Sequence, residues 1–152
     1  MRNPLIISIP VVTALLTVTG CAVADMEQDT MAEAPYTLNL SGHVYNSRTM
    51  QPVQGMAVSL ESYPGNDSGF TTVIGRTSSS SGEDGSFSLS YRETEQNTVY
   101  LVKAIGSPED DVRYAPYSAK LILYESSPSY DYSKNLFSIE NFDIALTPAP
   151  EK

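Results

Sequence analysis

Cys21 is the only thiol of this 152-residue chain, His43 the only imidazole, and Glu109-Asp110-Asp111 a compact run of three carboxylates. Five tyrosines, at positions 114, 117, 124, 130 and 132, crowd the last third. With no second cysteine there is no internal disulfide framework. One histidine cannot supply a three-histidine zinc site, and the alternation of its surroundings puts His43 on the polar, solvent-facing side of a strand. The acidic run lacks the alternating Asp pattern and closing Glu of a calcium loop, so it reads as a solvated loop. No catalytic residue, metal or cofactor is expected, and the chain is not expected to be an enzyme. Tyrosines on polar loops offer rigid, amphipathic contact area for a protein or sugar partner. Tyr114, Tyr117, Tyr130 and Tyr132 are therefore the candidate binding residues; the bland alternative is that they cover a sheet edge. Tyr130 and Tyr132, two apart in a polar stretch, point the same way if that stretch is extended, and both are expected to be exposed.

The elements that position these residues follow from composition and pattern. Charged residues make up only 18% of the chain, there is no Trp, and long Ala/Leu/Glu/Lys stretches are missing, which excludes helical bundles and coiled coils. The net charge of −9 repels a phosphate backbone, so no nucleic-acid partner is expected. An acidic surface of this kind keeps a secreted domain soluble.

Residues 5–18 are apolar apart from Ser8, Pro10, Thr13 and Thr17, and follow a single positive charge at Arg2. The run is shorter than the roughly 20 apolar residues of a membrane span and fits a secretory signal. It closes on Val18-Thr19-Gly20-Cys21, which resembles the lipobox of bacterial lipoproteins. That resemblance implies cleavage before Cys21 and lipidation of its thiol, with palmitate-type acyl chains holding the protein to a membrane. Ala22 after the cysteine implies the outer membrane. Asp25, Glu27 and Asp29 resemble the acidic stretch of some surface-exported lipoproteins, and the periplasmic and cell-surface faces both stay open. The chain thus divides into a signal peptide (1–20), the lipidated Cys with a flexible tether (21–35), a β-domain (36–147) and a tail (148–152).

Within 36–147, alternation predicts seven short strands. Tyr36, Leu38, Leu40 and Val44 mark the first, and Met56, Val58 and Leu60 the second. Residues 70–77 form the third, either face inward, with 78–81 as a flexible connector. An Asp84-Gly85 turn precedes Phe87, Leu89 and Tyr91. In 98–105, Lys103 sets the phase and leaves Tyr100, Val102 and Ala104 inward. Leu121 and Leu123 mark the sixth strand, residues 125–135 a loop, and Phe142, Ile144 and Leu146 the seventh. Seven strands with no helix between them predict an all-β, antiparallel sandwich, transthyretin-like or Ig-like.

The pattern Gly42-x-Val44, Pro52-Val53-x-Gly55-Met56-x-Val58-x-Leu60, Thr77, Asp84-x-x-Phe87-x-Leu89, Tyr100-x-Val102-x-Ala104-x-Gly106 resembles the carboxypeptidase regulatory-like domain. The resemblance implies a seven-stranded transthyretin-like sandwich without catalysis. Hydroxyisourate hydrolases share that fold but use two histidines, and this chain has one. The function expected is an envelope lipoprotein presenting a binding or structural module, with a membrane contact through lipid and an envelope protein or glycan as partner. The alternative is a carbohydrate-binding accessory of a glycan-uptake system.

Overall fold

A computed structural model describes residues 30–106 and 112–150. Cys21, the expected signal segment (1–20) and the acidic run 109–111 lie outside the described residues. The described residues form an all-β sandwich of nine strands: β1 Tyr36–Asn46, β2 Ala57–Pro64, β3 Gly75–Ser80, β4 Ser86–Glu93, β5 Thr98–Ala104, β6 Tyr117–Leu121, β7 Tyr130–Asp131, β8 Leu136–Ile139 and β9 Ile144–Leu146. One sheet has the order β4-β1-β8-β7, with β9 also on β1; the other has the order β3-β2-β5-β6. Alternate residues of both sheets fill the space between them. Leu38, Leu40, Val44, Phe137 and Ile144 come from the first, and Val58, Leu60, Tyr100, Val102 and Leu121 from the second, all at most 1% exposed. Phe87, Leu89 and Leu123 are buried with them, as their alternation predicts.

Several expectations need correction. The described residues hold nine strands rather than seven, and two pairings are parallel: β1 with β8 over Thr37–Leu40, and β1 with β9 over Val44–Asn46. The expected seventh strand is divided between β8 and β9, because the chain bends away from β1 at Gly42. There the Phe142 carbonyl fills the place of a Cβ on Gly42, while the Phe142 N–H donates to the Ser41 carbonyl at 2.9 Å. Asn141, at φ 59°, takes the turn.

The third strand lies further along than expected. Residues 70–74 are loop, with Val73 and Ile74 exposed, and the supposed connector 78–80 is strand, running from Ser62↔Gly75 to Ala57↔Ser80. Serines suffice there because β3 is an edge strand with one face in solvent. Its start is fixed by Gly75, where the Tyr91 and Ser62 hydroxyls occupy the space of a Cβ.

The expected loop 125–135 contains β7, which forms a hairpin with β8. The expected tether does not run free to Pro35. Ala32 is buried and its N–H donates to the Leu123 carbonyl at 3.0 Å, while the Glu125 N–H donates to the Thr30 carbonyl at 3.0 Å. This segment covers backbone beyond β6 that would otherwise be left unpaired. The tail is likewise docked at Ala149, whose N–H donates to the Arg113 carbonyl at 2.8 Å.

Candidate functional site

The four candidate tyrosines lie at opposite ends of the sandwich. Tyr36, opening β1, shares hydroxyl contacts with Thr98 and Tyr100, so β1 and β5 begin at the same end. Tyr130 faces Phe137, which faces Leu38, and so belongs to that end. Tyr117 faces Ala104 at the far end of β5, and the Tyr114 hydroxyl accepts a bond from Asn46 Nδ2 at 3.3 Å, where β1 finishes.

At the first end, an aromatic ladder climbs out of the core. The Phe137 ring meets Tyr36 edge-on at 5.2 Å, and Tyr130 stacks on Phe137 at 4.3 Å and 20°. Tyr132 then lies against Tyr130 at 4.6 Å and 62°. Hence the two rings share a side, but only Tyr132 is exposed, at 65%; Tyr130 is half-buried. Each phenol is tied down: Tyr132 donates to the Glu125 carbonyl at 2.6 Å and Tyr130 to Asn135 Oδ1 at 3.1 Å. Burial, then the Glu125 charge, push the Tyr130 phenol up in pKa. The turn beyond is held by Asp131, which accepts from the Ser133 hydroxyl at 2.6 Å and pairs with Lys134 at 3.2 Å. A ring exposed but fixed at both hydroxyl and face is suited to stacking on an apolar ligand surface without further loss of freedom.

The opposite end carries a groove of about 330 Å³ lined by His43, Tyr45, Met50, Pro52, Asp84 and Asp143. His43 is exposed, as expected, and its Nδ1 lies 3.4 Å from Asp143, which also accepts the His43 N–H at 3.1 Å. Asp84 is spent on the Ser86 hydroxyl and N–H at 2.6 and 3.0 Å, and these bonds hold its carboxyl below the usual range. Among the described residues no three His, Cys, Asp or Glu side chains come together to hold a metal ion. The Tyr45 hydroxyl is buried with no partner among the described residues. Tyr117 is half-buried against the core, and burial pushes its phenol up.

A third cluster escaped the sequence reading. On the outer face of the β3-β2-β5-β6 sheet, Glu61 is only 5% exposed and is held by Arg76 at 2.6 Å, by Lys103 at 2.5 Å and by the Tyr63 hydroxyl. Burial opposes ionisation of Glu61, but the bonds from Lys103 and Tyr63 and the charges of Lys103 and Arg76 outweigh it and hold the carboxyl below its usual range. Phe70, in the loop 65–74, packs edge-on against Tyr63 at 5.3 Å, and Lys120 sits 5.8 Å over the Phe70 ring. The available signal was Lys103 inside an apolar run and Arg76 on an exposed strand. Their common partner required the strand register.

No family model matches the chain, and no curated protein does. Solved structures with a similar fold include the major plantain pollen allergen Pla l 1, at TM-score 0.45 and 16% identity, covering 78% of this chain and 100% of that one. The group B streptococcus pilus 2b backbone protein gives TM-score 0.44 and 15% identity, over 85% of this chain and 47% of that one. The C-terminal domain of the type VI secretion protein TssM from EAEC gives 0.40 and 12%, over 76% and 98%.

Proposed function

We propose that this protein is a lipid-anchored lipoprotein of the outer membrane that presents its sandwich as a non-catalytic binding or structural module. The observation that carries the reading is Val18-Thr19-Gly20-Cys21, closing a short apolar run with the sole cysteine of the chain. The strand motifs similar to the carboxypeptidase regulatory-like domain support a module without catalysis. Among the described residues no helix is long and apolar enough to cross a membrane.

Docking of the chain from Thr30 onward sets where a tether to the anchor would leave the sandwich. Eight residues separate Cys21 from Thr30, a reach of at most about 30 Å at ~3.3–3.6 Å per residue. The docked segment enters beside Leu123, at the end where β1 and β5 begin. That end then faces the lipid, and the groove end with His43 and Tyr117 points away. Cys21→Ala should move the protein from the membrane fraction to the soluble fraction and abolish labelling by palmitate. A variant that stays with membranes in high salt would sink the anchor.

The second reading, a carbohydrate-binding accessory of a glycan-uptake system, is favoured by the fixed and exposed Tyr132 ring. Retention on neutral polysaccharides that is lost in Tyr132→Ala would support it.

A further inference from the structure

The outer face of the β3-β2-β5-β6 sheet is positive on a chain of net charge −9. Its strands present Arg76, Lys103 and Lys120 outward, and Glu61 as their one acid. The register sets these side chains in rows. Arg76, Glu61, Leu101 and Lys120 form one cross-strand row, and Ser78, Ser59, Lys103 and Ser118 form the next.

From Arg76 to Lys120 is three strand spacings, about 14 Å at ~4.8 Å each. Glu61 does not cancel the row; it holds it. One Arg76 nitrogen is spent on Glu61, while the side chain stays 60% exposed and keeps the rest of its five N–H donors. Lys103 is fixed between Glu61 and the Tyr63 hydroxyl at 3.4 Å. Asp67, in the loop 65–74, is spent on the N–H groups of Thr71 and Thr72 at 2.8 and 2.7 Å. The second row carries three short hydroxyl side chains around Lys103, and Phe70 borders the first row, against Tyr63 and beside Lys120.

We infer that this face is a binding trough for a linear anionic polysaccharide, with carboxylates on Arg76 and Lys120 and sugar hydroxyls over Ser59, Ser78 and Ser118. A single small anion cannot reach both outer cations, whereas a chain with repeated charges can. Uncharged serines in the row beside these cations suit sugar hydroxyls better than acyl chains. The inference shares the non-catalytic binding reading of the protein but does not depend on the anchor, so the two can fail separately.

The full chain in neutral detergent is tested against polygalacturonate, neutral dextran, and vesicles of phosphatidylglycerol. Expected is retention by polygalacturonate that falls steeply between 50 and 200 mM salt, with no retention by dextran on this face, on the order of the counterion effect in other polyanion binders. Arg76→Gln with Lys120→Gln should weaken it at least tenfold. Ser78→Glu with Ser118→Glu, at two exposed positions, should do the same with unchanged thermal unfolding, and carries the test if the first pair fails to fold. Polygalacturonate binding that is absent, or equal in wild type and the serine variant, overturns the proposal. So does retention by the vesicles in its place, which would assign the face, with exposed Val73 and Ile74 at its corner, to a lipid surface.

Discussion

The aromatic ladder predicts a graded series of stability losses. Phe137 is fully buried between Tyr36 and Tyr130, so Phe137→Ala removes a whole ring and leaves a cavity, a loss of about 3–5 kcal/mol. Tyr132 is 65% exposed and buries about a third of an aromatic side chain's ~150–250 Å². At ~25 cal/mol per Å² the upper bound for Tyr132→Ala is about 1–2 kcal/mol. Its hydroxyl bond to the Glu125 carbonyl adds little, since water replaces it at an exposed site. Tyr130 falls between. It is half-buried and stacked on Phe137, so its loss combines partial area with a ring-pair contribution, about 2–3 kcal/mol together. Urea unfolding followed by far-ultraviolet circular dichroism is the assay, given a slope of ~1–3 kcal/mol per molar. The midpoint should fall by about 2 M for Phe137→Ala, by about 1 M for Tyr130→Ala, and by less for Tyr132→Ala. If Tyr132→Ala costs as much as Phe137→Ala, or Tyr130→Ala costs nothing, the ladder is wrong. The same order separates the two tyrosines structurally: Tyr132 presents its ring outward, and Tyr130 is its support.

Gly42→Ala should lower stability by about 2 kcal/mol or more, because the new methyl would collide with the Phe142 carbonyl that bends the chain between β8 and β9. Gly69→Ala, which meets the Thr71 methyl at 3.4 Å and Asp67 Oδ1 at 3.9 Å, both ordinary contact, should leave the urea midpoint nearly unchanged and serves as the control. Glu61→Gln tests the held carboxylate through pH. Because the folded pKa lies below the ordinary 4.5, the ionised group stabilises above that value, and the contribution is lost as pH falls through the folded pKa. The midpoint gap between wild type and Glu61→Gln should therefore be full near pH 7 and close in acid. A gap that widens as pH falls would refute the assigned shift.

What the sequence made legible were the inward faces. Period-two alternation marked Val58, Leu60, Phe87, Leu89, Leu121 and Ile144, and Lys103 fixed the phase of β5, because a cation in an apolar run must point away from the core. What it concealed depended on neighbours far along the chain. Residues 78–80 read as a connector by composition, yet they pair with β2, which lies some twenty residues earlier. The parallel pairing of β8 and β9 with β1 joins positions about a hundred residues apart, and no local pattern announces it. Glu61 alternates with Val58 and Leu60 and so stands on the outward side of β2, yet it is only 5% exposed. It is buried because Arg76 and Lys103 close on it from the neighbouring strands and the Tyr63 hydroxyl from its own. The tyrosines were grouped by nearness in sequence, whereas β6 and the residues after it carry the chain from one end of the sandwich to the other between Tyr117 and Tyr130.

With its only cysteine at position 21, the described sandwich has no covalent cross-link, and polar groups buried at its two ends do part of that work. At the end facing the docked segment, Tyr100 donates to Glu93 at 2.9 Å and lies 2.6 Å from the Tyr36 hydroxyl, which joins β1, β4 and β5 across the two sheets. The other Glu93 oxygen accepts the N–H groups of Thr94 and Glu95 at 3.0 and 2.9 Å. At the opposite end Ser81 donates to the Val53 carbonyl at 2.6 Å and accepts the Met56 N–H at 2.9 Å, tying the turn before β4 to the entry of β2. Leaving any of these groups unpaired in the interior costs about 1–3 kcal/mol, so a slip of β1 or β4 by one residue forfeits several such bonds as well as the apolar face. The ends are thus specified by hydrogen bonds and the middle by packing. Such a division suits a module that presents its end loops and one outer face for binding: the surfaces that would meet a ligand can carry exposed tyrosine, lysine and serine without bearing on which strand lies beside which.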